Sequence, residues 1–230
     1  MSERCPFGKC DGSGLLLDFD SNTAHDCDCR PQRISRAKAH GLSAVIPRRY
    51  QGVSFDRPPV TEIDPTVVRE VRRYVASIEE RLDEGRGLWL SGDVGTGKTT
   101  LAMLVSKAAL DRSRSVAIYS MPRLLAEIRK TYDDSSERSY LELLERLVEV
   151  DLLHLDDLGV ERSNDWVLEQ LYAVVNTRYE DKRAIVITTN LNFEELRSQI
   201  TERTVSRLVE MCGDQIPLHG NDARMELRPS

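Results

Sequence analysis

The sequence predicts a protein of the α/β class, with helices on both faces of a parallel five-stranded sheet. Three observations support this class. Short and almost wholly apolar segments alternate with helical patterns over most of the chain. A glycine-rich phosphate-binding pattern lies between the first of these strands and its helix, and a later strand ends in two adjacent carboxylates. Strands that alternate with helices form parallel sheets that are buried on both faces.

The composition is that of a globular protein able to bury a core. The 230 residues are 40% hydrophobic and 30% charged, with a net charge of −6 at pH 7. No apolar run approaches the roughly 18 residues of a membrane span, and the N-terminus "MSERCPFGKC" lacks a signal-peptide core. We therefore expect a cytoplasmic protein without a membrane partner. The negative charge argues against coating nucleic acid by bulk charge, but it is compatible with a local basic site.

The chain divides into three stretches. Residues 1–30 are rich in cysteine and glycine, residues 31–64 form a basic and then proline-rich linker, and residues 65–230 carry the alternating helices and strands. Between residues 30 and 50 there are six basic side chains and no acidic one. That segment is either a solvated linker or a contact for a phosphate backbone or an acidic partner.

The third stretch predicts seven helices and five strands. Its first helix is marked by an initial proline, apolar residues at helical spacing and a closing glycine. The last strand is irregular enough to be an extended piece instead. The predicted helices span residues 65–85, 98–112, 121–132, 139–150, 164–181, 193–200 and 202–211, and the predicted strands span residues 87–92, 115–120, 151–157, 183–190 and 214–220.

A phosphate loop is predicted where the first strand meets its helix. Residues 92–100 read "GDVGTGKTT" and fit the pattern G-x-x-x-x-G-K-[ST]. Glycines let several backbone N–H groups point at one phosphate, and the helix N-terminus adds partial positive charge. Lys98 is expected to reach the β- and γ-phosphates, and the Thr99 hydroxyl to bind Mg²⁺. The predicted nucleotide-binding residues are Gly92, Asp93, Val94, Gly95, Thr96, Gly97, Lys98, Thr99 and Thr100.

Two acids end the strand "DLLHLDD". Adjacent carboxylates repel each other in an apolar site, and a divalent cation relieves that repulsion. We expect Asp156 to hold Mg²⁺ with Thr99 and so to complete the nucleotide site. We expect Asp157 to orient and polarise the attacking water. The alternative is that the acids only cap a helix, and His154 is interpreted as a packed core residue.

Further polar residues follow the next strand. Asn190 ends "RAIVITTN", where its amide is placed to bond a γ-phosphate or the attacking water. Arg203, Arg207 and Arg224 come later, and local pattern does not choose among them. An arginine that donates to a γ-phosphate, from the same subunit or a neighbour, strongly accelerates phosphoryl transfer.

These segments together resemble a known family. The set "GLWLSGDVGTGKTT", "SMPRLLAEIRKTYDD", "VDLLHLDDLGVERSNDWVLEQLYAVVNTRY", "IVITTNLNFEEL" and "SRLVEMCG…GNDAR" is similar to the AAA+ ATPases of the DnaC/DnaI helicase-loader and IstB transposition-helper family, from about residue 46 onward. The resemblance implies a P-loop NTPase fold of the AAA+ type. It also implies an ATPase that binds single-stranded DNA and loads or remodels a hexameric replicative helicase, or alternatively assists a transposase.

The resemblance also assigns roles to single residues. It implies that Asp156 and Asp157 are the acids of the Mg-nucleotide site and that Asn190 is the sensor 1 residue. It implies that Arg207 acts on the ATP of a neighbouring subunit within a ring or helical filament, and that Arg224 is a sensor-2-like contact. Arg203 ranks lower. The chain stops soon after Arg224, which leaves no room for a full C-terminal lid, as in the loader family.

A zinc module is predicted near the N-terminus. Cys5, Cys10, Cys27 and Cys29 follow the spacing C-x4-C-x16-C-x-C. In a cytosolic chain, clustered cysteines indicate metal ligands more often than disulfides, and four thiolates suit tetrahedral Zn²⁺. The spacing departs from paired C-x2-C, so His25 and His40 are alternative ligands, and unliganded cysteines are the other interpretation. The resemblance implies that such a module contacts the helicase.

Contacts to DNA are predicted where an aromatic residue lies near a basic one, because bases stack on aromatic rings and the cation attracts the phosphate backbone. Helix packing accounts equally well for the two aromatic residues. The candidates are Arg129, Lys130 and Tyr132 before the loop "DDSSER", and Arg162, Asn164 and Trp166 after the acid pair.

A phosphate loop also occurs in two other classes of protein. A P-loop kinase of a small metabolite would need a lid and an acceptor pocket, and Asn190 with the late arginines argues against it. A binding adaptor without turnover is disfavoured by the intact Lys98, Thr99 and acid pair.

Overall fold

The computed structural model describes residues 5–18, 21, 23–38, 46–133, 137–159 and 164–220. In these ranges every helix is too short or too polar to cross a bilayer. The strands are β1 (Leu15–Asp18), β2 (Thr23–Asp26), β3 (Leu88–Gly92), β4 (Val116–Ser120), β5 (Leu152–Asp156), β6 (Ala184–Thr189) and β7 (Ile216–Leu218). The helices are α1 (Arg30–Lys38), α2 (Arg48–Gln51), α3 (Pro65–Ala76), α4 (Ile78–Asp83), α5 (Lys98–Asp111), α6 (Met121–Asp133), α7 (Glu137–Glu149), α8 (Asp165–Glu180), α9 (Phe193–Gln199) and α10 (Glu202–Cys212), with a 3₁₀ turn at Val60–Glu62.

The predicted five-stranded parallel sheet is confirmed. Its strands lie in the order β4–β5–β6–β3–β7, and every neighbouring pair is parallel. β6 therefore lies between the strand that leads into the phosphate loop and the strand that ends in the two acids. Because the carboxyl ends of parallel strands meet at one edge, residues that follow β3, β5 and β6 are brought together there.

Both faces of the sheet are buried. Alternate residues of a strand lie on opposite faces, and on β3 Trp89 belongs to one apolar cluster while Leu88 and Leu90 belong to the other. The first cluster includes side chains of α6 to α10, and the second includes side chains of α3, α4 and α5. Burial on both sides explains why the strands are apolar almost throughout.

The prediction of one continuous helix over residues 65–85 is wrong. α3 and α4 are separate, and Ser77 lies between them with φ −110° and ψ 29°. The Ser77 hydroxyl donates to the Arg73 carbonyl at 3.4 Å. Such a hydroxyl competes for a helix carbonyl and bends the helix, which the apolar spacing alone does not reveal.

A buried arginine ties one end of the sheet to the helices. Arg178 of α8 is fully buried, and its guanidinium donates to main-chain carbonyls at the end of α7 and beside β5 and β6. The shortest of these bonds are 2.6 Å to Leu147 and 2.5 Å to Ala184. Burial lowers the pKa of Arg178 below its usual value, and the ring of carbonyl acceptors compensates for the lost hydration.

The N-terminal residues form an antiparallel hairpin of β1 and β2, followed by α1. α1 begins directly after the last cysteine pair, because Arg30 donates its N–H to the Cys27 carbonyl at 2.8 Å and Arg33 donates to the Cys29 carbonyl at 3.1 Å. The division of the chain at residues 30 and 64 stays a prediction.

Candidate nucleotide site and cysteine cluster

The phosphate loop joins β3 to α5 through a chain of left-handed glycines. Gly92, Gly95 and Gly97 have φ of 137°, 83° and 98°. L side chains rarely adopt this region, so glycine is needed for the turn. Gly97 is also closely covered, since a Cβ there would lie 2.4 Å from the Ile63 Cδ1. A residue of the predicted linker therefore packs directly on the phosphate loop.

Lys98 is held against the curled loop. Its side chain is buried, and its Nζ donates to the carbonyls of Gly92 at 2.7 Å and Asp93 at 2.6 Å. The Thr96 hydroxyl donates to the same Asp93 carbonyl at 2.8 Å. These bonds place the ammonium group inside the turn at the N-terminus of α5, where an anionic phosphate is favoured.

The two predicted magnesium ligands meet. The Thr99 hydroxyl donates to Asp156 Oδ1 at 2.9 Å, although the residues come from different elements. A hydroxyl and a carboxylate are the hard oxygen ligands that Mg²⁺ prefers, so the residues present fit this ion. Burial raises the pKa of Asp156, but His154 and the hydroxyls of Thr188 and Thr99 outweigh it, so the pKa is lowered. The carboxylate is thus ionised at neutral pH.

Thr188 of β6 organises both acids, and sequence reasoning missed it. Its hydroxyl donates to Asp156 Oδ1 at 2.6 Å and accepts the backbone N–H of Asp157 at 2.9 Å. Thr189 is also fully buried, and its hydroxyl donates to the Leu158 carbonyl at 2.7 Å. Two hydroxyls at the end of an otherwise apolar buried strand were the available signal, since buried polar groups need partners.

Asp157 lies in a strained backbone position. Its φ is 59°, a region uncommon for a residue other than glycine but tolerated by aspartate. Such conformations persist where the surrounding structure fixes them and cluster at functional sites. Here the N–H of Asp157 is fixed by Thr188 and the next N–H, from Leu158, donates to the Thr188 carbonyl at 2.8 Å. Strand β6 thereby sets the conformation of the acid pair.

His154 is a core residue, as interpreted from the sequence. It is fully buried, and its Nδ1 lies 2.9 Å from the Ser106 hydroxyl of α5. Its Nε2 lies 3.9 Å from Asp156 Oδ1, which is too long for a hydrogen bond. The ring therefore packs behind the acid pair and acts on Asp156 through space.

Asn190 and the late arginines are placed as follows. Asn190 is half-buried and directly follows β6, at the sheet edge that carries Asp156. Arg207 lies on α10 beside α8, and Arg203 is exposed one turn earlier. Arg224 lies outside the described residues. The roles implied for these residues stay predictions.

The DNA-contact candidates come together only in part. The Arg129 guanidinium lies 4.7 Å from the ring centroid of Trp166, so the two predicted stretches meet at this pair. Lys130 pairs with Glu127, and Asn164 caps α8 by accepting the Val167 N–H at 3.0 Å. Asn164 therefore has a structural role. The Tyr132 side chain and Arg162 lie outside the described residues.

The four N-terminal cysteines form one compact group. Their sulfur atoms all lie within 4.8 Å of one another, with 3.8 Å between Cys5 and Cys27 and 3.5 Å between Cys10 and Cys29. A tetrahedral zinc with Zn–S bonds of about 2.3 Å separates its sulfurs by about 3.8 Å. The group therefore fits Zn²⁺. His25 is exposed beside Thr23 and not part of this group, and His40 lies outside the described residues.

The cysteines differ in acidity. Burial raises the pKa of Cys5, but the backbone N–H groups of Cys10, Lys9 and Phe7 outweigh it and lower that pKa to about 6. Burial and the neighbouring thiols raise the pKa of Cys29 to about 12. Several thiolates in one buried site repel one another, and a divalent cation relieves this. The cluster thus has the chemistry of a metal site rather than of four independent thiols.

Comparisons with known sequences agree with this geometry. A family model described as an IstB-like ATP binding protein matches residues 31–227. The replicative helicase loader DnaC of Escherichia coli (strain K12) is 29% identical over 160 residues, 69% of this chain and 64% of that protein. The phage-like element PBSX protein XkdC of Bacillus subtilis (strain 168) is 30% identical over 201 residues, 83% of this chain and 72% of that protein. The chain thus spans less than two thirds of the length of DnaC.

Comparison with solved structures gives the same result for the fold. A crystal structure of the DnaC helicase loader matches with a TM-score of 0.65 and 25% sequence identity, covering 75% of this chain and 100% of that chain. The predicted P-loop fold of the AAA+ type is therefore confirmed. The range matched by the family model contains the phosphate loop, the acid pair and Arg207, and it begins after the four cysteines.

Proposed function

Because the chain belongs to the family of IstB-like ATP-binding proteins, we propose that it is an ATP-dependent replication protein that loads or remodels a hexameric replicative helicase. In this proposal it binds single-stranded DNA and hydrolyses ATP, with Mg²⁺, where two subunits meet. The main observation in support of ATPase activity is the hydrogen bond of 2.9 Å between Thr99 of the phosphate loop and Asp156 of the acid pair. This bond brings the proposed phosphate-binding loop and the proposed magnesium ligand Asp156 into contact.

In this proposal, different residues bind the phosphates, hold Mg²⁺ and orient the attacking water. Loop N–H groups, the N-terminus of α5 and Lys98 bind the β- and γ-phosphates. Thr99 and Asp156 would hold Mg²⁺, which supplies neutralisation of phosphate charge when bound. Asp157 accepts a hydrogen bond from the attacking water and orients it. Asn190 donates its amide to the γ-phosphate or to that water.

A second subunit is proposed to complete the site. Arg207 would donate to the γ-phosphate of a neighbour, and Arg224 would act as a sensor-2-like contact. A group supplied by a neighbour makes hydrolysis depend on assembly, as expected for a ring or helical filament.

Binding of single-stranded DNA is supported by the Arg129–Trp166 pair. Arg129 is exposed and its cation lies over the half-buried ring of Trp166. Base–aromatic stacking beside a cation tolerates any sequence, as a loader needs.

The cysteine module is proposed to bind zinc and to dock the helicase. Its four sulfurs fit one tetrahedral ion. It precedes the range matched by the family model, so it is placed to provide a partner contact separate from the ATPase. A cytoplasmic location follows from this replication role.

A transposition-helper ATPase is the second candidate, because the matching family model carries the IstB name. A pull-down from purified components distinguishes the two. Retention of a replicative helicase supports the loader, whereas retention of a transposase alone supports the helper.

ATP hydrolysis with and without single-stranded DNA tests the central proposal, with oligomer size measured alongside. We expect DNA to stimulate turnover, ATP to promote assembly, and Arg207→Ala to lower kcat by about 10³-fold or more while sparing ATP binding. A monomer that hydrolyses ATP regardless of DNA and of Arg207 contradicts it. A phosphate-acceptor screen for kinase activity would then follow.

A further inference from the structure

Two tyrosines of α8 lie against Arg207. The Arg207 guanidinium carbon is 4.9 Å from the ring centroid of Tyr172 and 5.6 Å from that of Tyr179. Both distances lie within the roughly 6 Å range of cation–π attraction. Tyr172 and Tyr179 are two helical turns apart and share one face of α8. We call these two residues the tyrosine pair.

Arg207 is held by rings rather than by an acid. Its Nε is buried without a hydrogen-bond partner, and no carboxylate in the described ranges forms an ion pair with it. Arg207 as a whole is half-buried, so part of its side chain is open to solvent. A carboxylate partner would neutralise the guanidinium, whereas aromatic faces hold it and leave its charge and its fork of donors available.

The tyrosine pair is itself fixed. The Tyr179 hydroxyl donates to Glu210 Oε2 at 2.6 Å, and Glu210 lies on α10 one turn after Arg207. The carboxylate raises the pKa of Tyr179, so the phenol stays a donor. The two tyrosines of α8 thus contact Arg207 of α10, and Tyr179 also bonds Glu210 of the same helix α10.

We propose that Tyr172 and Tyr179 are positioning residues that preset Arg207 for donation to a nucleotide phosphate bound by a second copy of this chain. This deepens the proposed function and rests on it. An Arg207 side chain that is already ordered loses little conformational entropy when the second subunit binds. More of its interaction energy with the phosphate then stabilises the transition state. The tyrosines contact the guanidinium only, and act through it.

Mixed oligomers test this directly. Asp157→Asn subunits supply Arg207 but do not hydrolyse their own ATP, and Arg207→Ala subunits hydrolyse only when a neighbour supplies the arginine. Each variant alone should be inactive, and the mixture should recover activity. The pair Tyr172→Leu and Tyr179→Leu is then added either to the Asp157→Asn donor or to the Arg207→Ala acceptor.

We expect kcat of the mixture to fall about tenfold or more with the substituted donor, as a fraction of the 10³–10⁵ that such an arginine supplies. KM for ATP should be unchanged, since the acceptor's own site is intact. The same substitutions in the acceptor should leave recovered kcat unchanged. Tyr172→Phe alone in the donor should retain activity, because both rings and the bond from Tyr179 to Glu210 remain.

Equal activity with substituted donor and substituted acceptor overturns the positioning role. Failure of the unsubstituted mixture to recover activity overturns instead the shared site of the proposed function. Melting temperature and binding of a fluorescent nucleotide show that each variant is folded. If the double leucine variant does not fold, Tyr172→Leu alone carries the test, since the Tyr172 hydroxyl has no hydrogen bond within the described ranges.

Discussion

At the scale of single residues, the most informative side chain is the Thr188 hydroxyl. Thr188 is fully buried. Its hydroxyl donates to the Asp156 carboxylate and accepts the backbone N–H of Asp157. It therefore couples Asp156, the proposed magnesium ligand, to the left-handed turn at Asp157. Thr188 lies outside the phosphate loop and yet holds both acids in place.

We expect Thr188→Val to lower kcat about 10-fold to 100-fold with a smaller change in ATP affinity, because both acids lose a fixed partner. The free energy of unfolding should fall by about 1–3 kcal/mol, the cost of leaving buried groups unpaired. Steady-state kinetics and urea unfolding measure the two effects. Thr188→Ser, which keeps the hydroxyl, is the matched control, and equal kinetics for valine and serine would refute the coupling.

Arg178 shows a structural role of the same kind. Arg178→Met removes donors from buried carbonyls at the end of α7 and beside β5 and β6, so we expect unfolding free energy to fall by about 3–5 kcal/mol. Arg183→Met is the control, since Arg183 makes one partly exposed ion pair at 3.4 Å and should cost less than about 1 kcal/mol. Similar losses for both variants would remove the special role of Arg178.

At the scale of elements, the phosphate loop depends on the linker as well as on β3 and α5. Ile63 follows the 3₁₀ turn and packs on Gly97, where even one added carbon would overlap it at 2.4 Å. Strand β6 has a similar role on the other side, because it lies between β3 and β5 and supplies Thr188. The site thus depends on strand β6, which lies between β3 and β5, and on Ile63, which covers the phosphate loop.

Gly97→Ala is expected to weaken ATP binding, because alanine at φ 98° is strained and its Cβ would displace the end of the Ile63 side chain. Isothermal titration with ATP and Mg²⁺ measures this. Gly52→Ala is the control, since Gly52 has φ −85° and no atom within 4 Å of a Cβ. Normal ATP affinity in Gly97→Ala would show that the loop moves away from Ile63 without cost.

At the scale of the whole molecule, the chain combines a P-loop domain of the AAA+ type with a small N-terminal head, the cysteine module, whose four sulfurs fit a metal ion. The head is small, and its cysteines and the half-buried Leu16 form its only apolar cluster in the described residues. A segment this small would gain its folding free energy from a bound ion. The parallel sheet has two large apolar clusters and needs no such ion for its folding.

We therefore expect one zinc per chain by elemental analysis, lost in Cys29→Ser because a buried ligand is removed. Chelation should expose the head to proteolysis but leave ATP binding intact. Cys212→Ser is the matched control, since Cys212 lies on α10 and apart from the cluster. Full zinc content in Cys29→Ser, or zinc loss in Cys212→Ser, would contradict the assignment.

From residue 65 onward, the order of elements and the phosphate loop were predictable because periodicity and a fixed motif are local properties of the sequence. The N-terminal hairpin and the helix α1 were not predicted. Thr99 and Asp156 were predictable as partners because parallel strands end at one edge. Thr188, Arg178 and the tyrosine pair were not, because each acquires its role from contacts with residues distant in the chain. The break at Ser77 was missed for a different reason, since apolar spacing continues through it.

The contact between Ile63 and Gly97 has a mechanical consequence. Residues 46–64 lie between the cysteine module and the parallel sheet in the sequence, and Ile63 near their end packs on Gly97 of the phosphate loop. A displacement of residues 46–64 would therefore shift Ile63 and change its packing on Gly97. The segment that follows the cysteines thus has a direct contact with the turn that is proposed to bind phosphate.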